Sequence, residues 1–147
     1  MKMKTNKEML SSILKTAQMG QVGIRCVQPY AVKMDLQKAL AMQLKEYDSI
    51  ENEVRTIADQ RGWQIPELNN AARTMSRMMT WMQLRGGNPD SKIAGMMIQG
   101  STRGIVKGLK NAHQHCQQDA RVTALSDRLL NFEDAGIRQM KPFLLRR

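Results

Sequence analysis

The chain has 147 residues, of which 41% are hydrophobic and only 4% are aromatic. This length predicts a single domain over residues 1–147. No apolar run approaches the roughly 18 residues that a membrane-spanning helix needs, so no membrane span is predicted. The 23 Lys and Arg against 13 Asp and Glu give a net charge of +10, which permits attraction to nucleic acid or to an anionic membrane. Because β-branched residues do not alternate with polar ones over any useful length, the sequence predicts an all-α fold.

The N-terminus and the cysteines bear on the cellular compartment. The opening residues, MKMKTNKEML, lack the apolar core of a secretory signal. Cys26 and Cys116 are the only cysteines, and their wide separation is typical of reduced thiols rather than of a disulfide. We therefore expect a cytoplasmic protein.

The first two helices are predicted from capping signals and periodicity. Thr5-Asn6-Lys7-Glu8 has the spacing of a capping box, which predicts a first helix from about Asn6 to Gln28, ended by Pro29. The second helix is predicted over Asp35 to Arg61, with Asp35 as its cap and Gly62 as its left-handed C-terminal residue. Its apolar stripe has a period near 3.6 and consists of Leu36, Leu40, Leu44, Tyr47, Ile50, Val54 and Ile57.

A long connection, residues 63–90, follows the second helix. Glu67 to Arg85 is predicted to be helical and to end at Gly86-Gly87, and its length allows the chain to travel the whole bundle and start again at the far end. Met side chains are adaptable and recur at contact surfaces. We expect this segment to cover the bundle flank. The alternative is a surface for a helical protein partner, and Arg73, Arg77 and Arg85 would also suit an anionic surface. The residues of this predicted interaction surface are Met75, Met78, Met79, Trp81 and Met82.

The third and fourth helices are predicted over Lys92 to Gln117 and from Asp119 onward, with Pro142 disfavouring continuation of the fourth. Three glycines spaced four apart lie on one face of the third helix, and each costs up to about 1 kcal/mol in a helix interior. They predict close packing against another helix or a second copy of the chain, and the alternative is a ligand in the space left by missing side chains. These glycines are Gly100, Gly104 and Gly108.

The two halves of the chain share a weak internal repeat. QLKEYDSI (43–50) aligns with LNFEDAGI (130–137), and MGQVGI (19–24) resembles residues 99–105 with one insertion. The pattern indicates two similar helical hairpins.

With the segments MGQVGI, QLKEY, MMIQGS, LLNFED and the crossover MMTWM, the chain resembles the ferritin-like superfamily, particularly small bacterial members that lack the complete di-iron ligand set. The resemblance implies a ferritin-like four-helix bundle of two antiparallel hairpins with a long helical crossover between helices 2 and 3.

The resemblance also implies positions for metal ligands, and this chain has a suitable residue at only some of them. Di-iron members need Glu-x-x-His on two helices, but Ser49 follows Glu46 and Gly136 follows Glu133. We expect Glu46 and Glu133 to be exposed or paired with Lys or Arg. The alternative is a polar core pocket that they share with glutamines and one weakly bound divalent metal. The glutamines considered for this pocket are Gln21, Gln43 and Gln99.

Three functions follow from these patterns. We expect a non-catalytic bundle that acts as an interaction or small-ligand-binding protein, self-associates, and carries no cofactor. The alternatives are a metal-binding oxidoreductase or stress protein with a reduced ligand set, and a nucleic-acid-binding protein that uses the basic surface. His113 and His115 lie two apart and thus on different faces, so we do not expect them to bind metal.

Overall fold

A computed structural model describes residues 3–67, 79–80, 83–117 and 119–145 of the chain. Within these residues lie four long α-helices and no strand, so the all-α prediction is confirmed. The helices are α1 (Asn6–Val27), α2 (Met34–Arg61), α3 (Pro89–Gln114) and α4 (Ala120–Leu145). In the part of the chain that is described, no helix is long and apolar enough to cross a membrane.

Local signals set most helix ends. Thr5 and Glu8 form the predicted capping box: the Thr5 hydroxyl accepts from the Glu8 amide and Glu8 Oε1 accepts from the Thr5 amide, both at 3.2 Å. Gly62 adopts a left-handed conformation with φ of 68° at the end of α2, where a residue with a β-carbon would be strained. Asp119 Oδ1 accepts from the amide of Val122 and so caps α4.

Several predicted helix ends are corrected. Helix α3, predicted over Lys92 to Gln117, runs from Pro89 to Gln114. Lys33, rather than Asp35, occupies the cap position of α2, and Asp35 lies in its first turn. Helix α4 runs through Pro142 to Leu145. The last turn persists because Met140 and Phe143 on either side of the proline are buried in the core, and this burial offsets the backbone hydrogen bond that proline cannot donate.

The four helices pack as two antiparallel hairpins around one apolar core. Asn111 near the end of α3 donates to Ser12 near the start of α1 at 2.6 Å, so these two helices are antiparallel. Gln43 in the first half of α2 likewise donates to Gln139 in the second half of α4 at 2.7 Å. The largest fully buried apolar side chains are Met9, Leu10, Leu14, Ile24, Leu36, Leu40, Ile50, Ile57, Ile93 and Met140.

Residues 62–88 join opposite ends of the bundle. At one end, Arg61 closes α2 and forms an ion pair with Asp119 at 2.5 Å. At the other end, Asp90 in the first turn of α3 accepts from the amides of Val32 and Lys33 at 2.8 and 3.0 Å. The connection therefore spans the length of the bundle. Within it, residues 79–80 and 83–84 are helical, whereas residues 68–78 and 81–82 lie outside the described residues.

Candidate functional site: a glycine-lined cavity above a buried glutamic acid

A cavity of about 490 Å³ opens between α1 and α3. Helix α1 contributes one wall and α3 the other, while Tyr47 of α2 and Glu133 of α4 form the floor. Met79 and Thr80 of the connection border it from above. All four helices thus contribute to this space, whose volume falls in the range of small-molecule pockets.

Glycines make the cavity possible. Among the described residues, a β-carbon at Gly23 or Gly100 would meet no atom within 4 Å, so the missing side chains leave open space there. A β-carbon at Gly20 would overlap the Tyr47 ring, and one at Gly104 would lie 2.8 Å from Glu133 Oε2. The first two glycines therefore open the cavity, and the other two make room for its floor.

The three glycines on one face of α3 do not all have the same surroundings. Some pack closely against another helix, and one borders open space. Gly104 faces Glu133, and a β-carbon at Gly108 would lie 2.7 Å from Leu130 Cδ2, so both pack closely against α4 of the same chain. Gly100 does not pack closely: it is exposed and lines the cavity. Close packing within the chain is therefore found at Gly104 and Gly108, whereas for Gly100 packing against a second copy of the chain stays a prediction.

The carboxyl group of Glu133 lies at the floor. Glu133 is only 2% exposed, and its Oε1 accepts a hydrogen bond from the Tyr47 hydroxyl at 2.9 Å. Within the described part of the chain, Glu133 Oε2 is buried without a hydrogen-bond partner. The Tyr47 ring is itself held edge-on against Phe132, with ring centroids 4.8 Å apart. A fixed donor therefore holds one carboxyl oxygen, while the other is buried against Gly104.

Burial controls the ionisation of both floor groups. It raises the pKa of Glu133 to about 7, although the nearby hydroxyls of Tyr47 and Ser101 act in the opposite direction. Burial, and then the charge of Glu133, raise the pKa of Tyr47 well above its usual range. Near neutral pH, Tyr47 therefore remains a donor, while Glu133 is divided between its neutral and ionised forms.

The mouth of the cavity is basic. Lys15 on α1 and Arg103 and Lys107 on α3 border it, and all three are exposed. Among the described residues, no carboxylate forms an ion pair with any of them. The lining thus combines three exposed cations with a single buried carboxyl.

The structure separates the two glutamates that the sequence singled out. Glu46 lies at the α2–α4 surface, where Arg128 forms an ion pair with it and also donates to Ser49. The expectation of an ion-paired surface position is thus correct for Glu46 and wrong for Glu133, which is buried. No group of three or more His, Cys, Asp or Glu side chains within the described ranges is arranged to hold a metal ion.

The three glutamines do not form one polar pocket. Gln21 donates to Asp48 and Glu51 between α1 and α2, at 3.0 and 2.7 Å. Gln43 pairs with Gln139 of α4. The expectation that Gln99 faces the core is corrected, since this residue is exposed on α3. Its neighbours Gly100 and Ser101 line the cavity instead, because adjacent helix positions point about 100° apart.

The predicted methionine surface falls mostly outside the described residues. Met75, Met78, Trp81 and Met82 belong to that part of the chain. Met79 is described: it is 53% exposed and borders the cavity.

The cysteines and histidines lie away from the cavity. Both thiols are free: Cys26 is buried near the end of α1, and Cys116 is exposed and donates to the Lys4 carbonyl near the start of α1. The Nε2 atom of His115 lies 2.7 Å from Oδ1 of Asn6, and this contact joins the end of α3 to the start of α1. Its role there is structural.

Sequence reasoning missed the partners of Glu133. Tyr47 was read only as a core residue of the α2 stripe, and the three cations at the mouth were read only as general surface charge. Gly20 by itself allowed a close approach to α1, but only the structure shows that the Tyr47 ring lies opposite it. Comparisons of the chain with protein-family models, curated proteins and solved structures found no match.

Proposed function

We propose that this protein is a ferritin-like bundle that binds a small molecule, with an interhelical cavity in place of a metal centre. The two antiparallel hairpins and the end-to-end connection support the ferritin-like assignment. Ser49 and Gly136 stand where that superfamily's Glu-x-x-His pattern requires histidines, which supports a function without a di-iron site.

One observation carries the binding proposal: within the described ranges, Glu133 Oε2 is buried without a hydrogen-bond partner beside a cavity of about 490 Å³. An unsatisfied buried polar atom costs about 1–3 kcal/mol, and more when it is charged. Native proteins have few such atoms, and each calls for an explanation, of which a bound ligand is one. A ligand that enters the cavity and hydrogen-bonds to Oε2 would recover this cost as binding energy.

The experiment uses a neutral apolar fluorophore, N-phenyl-1-naphthylamine, as a probe of the cavity. Gly100→Leu places a side chain in the open space above the floor, since a β-carbon there meets no atom within 4 Å. Gln99→Leu adds the same side chain at the exposed neighbouring position and is the matched control. Both substitutions are compatible with a helix, and circular dichroism confirms that the variants fold.

The wild type and Gln99→Leu are expected to bind the fluorophore with similar affinity. Gly100→Leu is expected to weaken binding at least about tenfold, which corresponds to about 1.4 kcal/mol. Equal binding by all three proteins would show that the fluorophore does not occupy the cavity, and no binding by the wild type would count against a small-molecule site.

We also propose that the protein self-associates in the cytoplasm. Large apolar side chains that are more than half exposed support this proposal, and they include Val32, Met34, Met42 and Leu109. Light scattering coupled to size-exclusion chromatography tests it, and a monomer across the micromolar range would contradict it.

A further inference from the structure

The distribution of charge along the cavity restricts the ligand that it would accept. Three exposed cations, Lys15, Arg103 and Lys107, border the mouth on both walls. Since no described carboxylate pairs with them, an anion there would meet positive charge that the fold has not neutralised. A ligand cation at the mouth would be repelled by all three.

Part of the cavity lining is apolar and adaptable. Met19 and Val27 of α1 face this space, as do Met96 and Met97 of α3. Methionine side chains adjust to ligands of varied shape, and apolar contact supplies most of the binding energy of such pockets. The middle of the ligand is therefore apolar.

The floor requires a hydrogen-bonding group. Tyr47 already donates to Glu133 Oε1, whereas Oε2 is buried and has no partner in the part of the chain that the structure describes. A ligand hydroxyl suits this position in either ionisation state, because it donates to a carboxylate and also accepts from a carboxylic acid. A ligand that ends in a methyl group would leave Oε2 unsatisfied.

Resting on the proposed function, we infer that the cavity binds an amphipathic organic anion: its carboxylate or phosphate lies at Lys15, Arg103 and Lys107, its apolar body lies along the methionines, and a terminal hydroxyl contacts Glu133. The two ends of the ligand are recognised by different helices. The anion contacts α1 and α3, and the hydroxyl contacts α4.

Four ten-carbon compounds separate these contributions when each displaces N-phenyl-1-naphthylamine at pH 8: 1-decanol, decanoate, 10-hydroxydecanoate and decylamine. Decanoate is expected to bind about tenfold more tightly than decylamine, as the summed effect of exposed charge pairs. The compound with both groups, 10-hydroxydecanoate, is expected to bind more tightly than either decanoate or 1-decanol, by about threefold or more. Added salt is expected to reduce only the preference for anions.

Variants of the mouth test where the anion lies. The double substitution Arg103→Gln and Lys107→Gln is expected to remove most of the preference for decanoate over decylamine and to leave the affinity for 1-decanol unchanged. Lys110→Gln, at the next exposed cation on α3, lies outside the cavity lining and is the matched control. These positions are exposed, so the variants are expected to fold.

Variants of the floor test where the hydroxyl lies. Glu133→Met keeps a similar length without an acceptor oxygen and is expected to abolish the advantage of 10-hydroxydecanoate over decanoate. Should this variant fail to fold, the comparison of the two compounds on the wild type decides the same point. Equal affinity for them would overturn the assignment of the hydroxyl.

The outcomes distinguish this inference from the function on which it rests. If decylamine and 1-decanol displace the fluorophore as well as decanoate does, the anion assignment is overturned, while the cavity remains a binding site. If no compound displaces it and Gly100→Leu has no effect, the proposed function itself fails.

Discussion

The ionisation of Glu133 provides the sharpest test of the site, because it links a single buried group to the stability of the whole chain. Glu133→Gln keeps the shape of the side chain and a carbonyl oxygen for the Tyr47 hydroxyl, but removes the titration. The variant thus reproduces the neutral form of Glu133 at every pH. We therefore compare the free energy of unfolding of the two proteins from pH 4 to pH 8.

The sign and size of the difference follow from the pKa. Burial raises the pKa of Glu133 from an ordinary 4.5 to about 7, so the folded chain holds this proton more tightly than the unfolded chain does. The contribution of Glu133 to stability is therefore complete below pH 4.5 and is lost as the pH rises to about 7. A shift of this size corresponds to a loss of about 3 kcal/mol.

Urea denaturation followed by circular dichroism measures the effect. Other carboxyls cancel in the difference between the two proteins. One of them is Glu51: partial burial raises its pKa, but hydrogen bonds from Gln21 and Arg55 outweigh this effect and lower it below the ordinary range. Relative to Glu133→Gln, the wild type is expected to lose about 3 kcal/mol between pH 4 and pH 8. If the free energies of unfolding of the two proteins changed with pH in parallel, Glu133 would not be a buried group whose ionisation destabilises the fold.

Three further predictions concern Tyr47, Gly20 and Glu46. Tyr47→Phe removes the donor to Oε1 and is expected to destabilise the protein by about 1.5–3 kcal/mol at pH 8, and by less at pH 4, because a hydrogen bond to the ionised carboxyl is the stronger one. Gly20→Ala is expected to lose about 1–3 kcal/mol, since its β-carbon overlaps the buried Tyr47 ring. Gly23→Ala, one turn further along α1 and facing open space, is expected to gain up to about 1 kcal/mol and is its control. Glu46→Gln is expected to change the free energy of unfolding by less than about 1 kcal/mol, because its ion pair is partly exposed.

Thermal and urea unfolding measure all of these variants, and each has a contrary result. An equal effect of Tyr47→Phe at both pH values would mean that its hydroxyl does not contact an ionising group. Stabilisation by Gly20→Ala would show that the Tyr47 ring does not lie against α1. A loss at Glu46 as large as that at Tyr47 would place Glu46 in the interior.

The sequence by itself determined the four helices and most of their ends. The signals were local: an apolar stripe of period 3.6 in α2, the capping box at Thr5 and Glu8, and the left-handed glycine at position 62. Each of these signals depends on residues within one or two helical turns of each other, so it can be recognised in the sequence alone. The connection between opposite ends followed from its length alone.

Only the tertiary structure decided which polar groups are inside. Glu46 and Glu133 occupy similar positions in the internal repeat, yet one is at the surface with Arg128 and the other is buried beneath a cavity. Residues at the edge of an apolar stripe become buried or exposed according to where the neighbouring helix lies. That placement depends on glycines of other helices, such as Gly20 and Gly104, which admit the Tyr47 ring and the Glu133 carboxyl. Because these contacts join residues far apart in the chain, the periodicity of a single helix does not predict them.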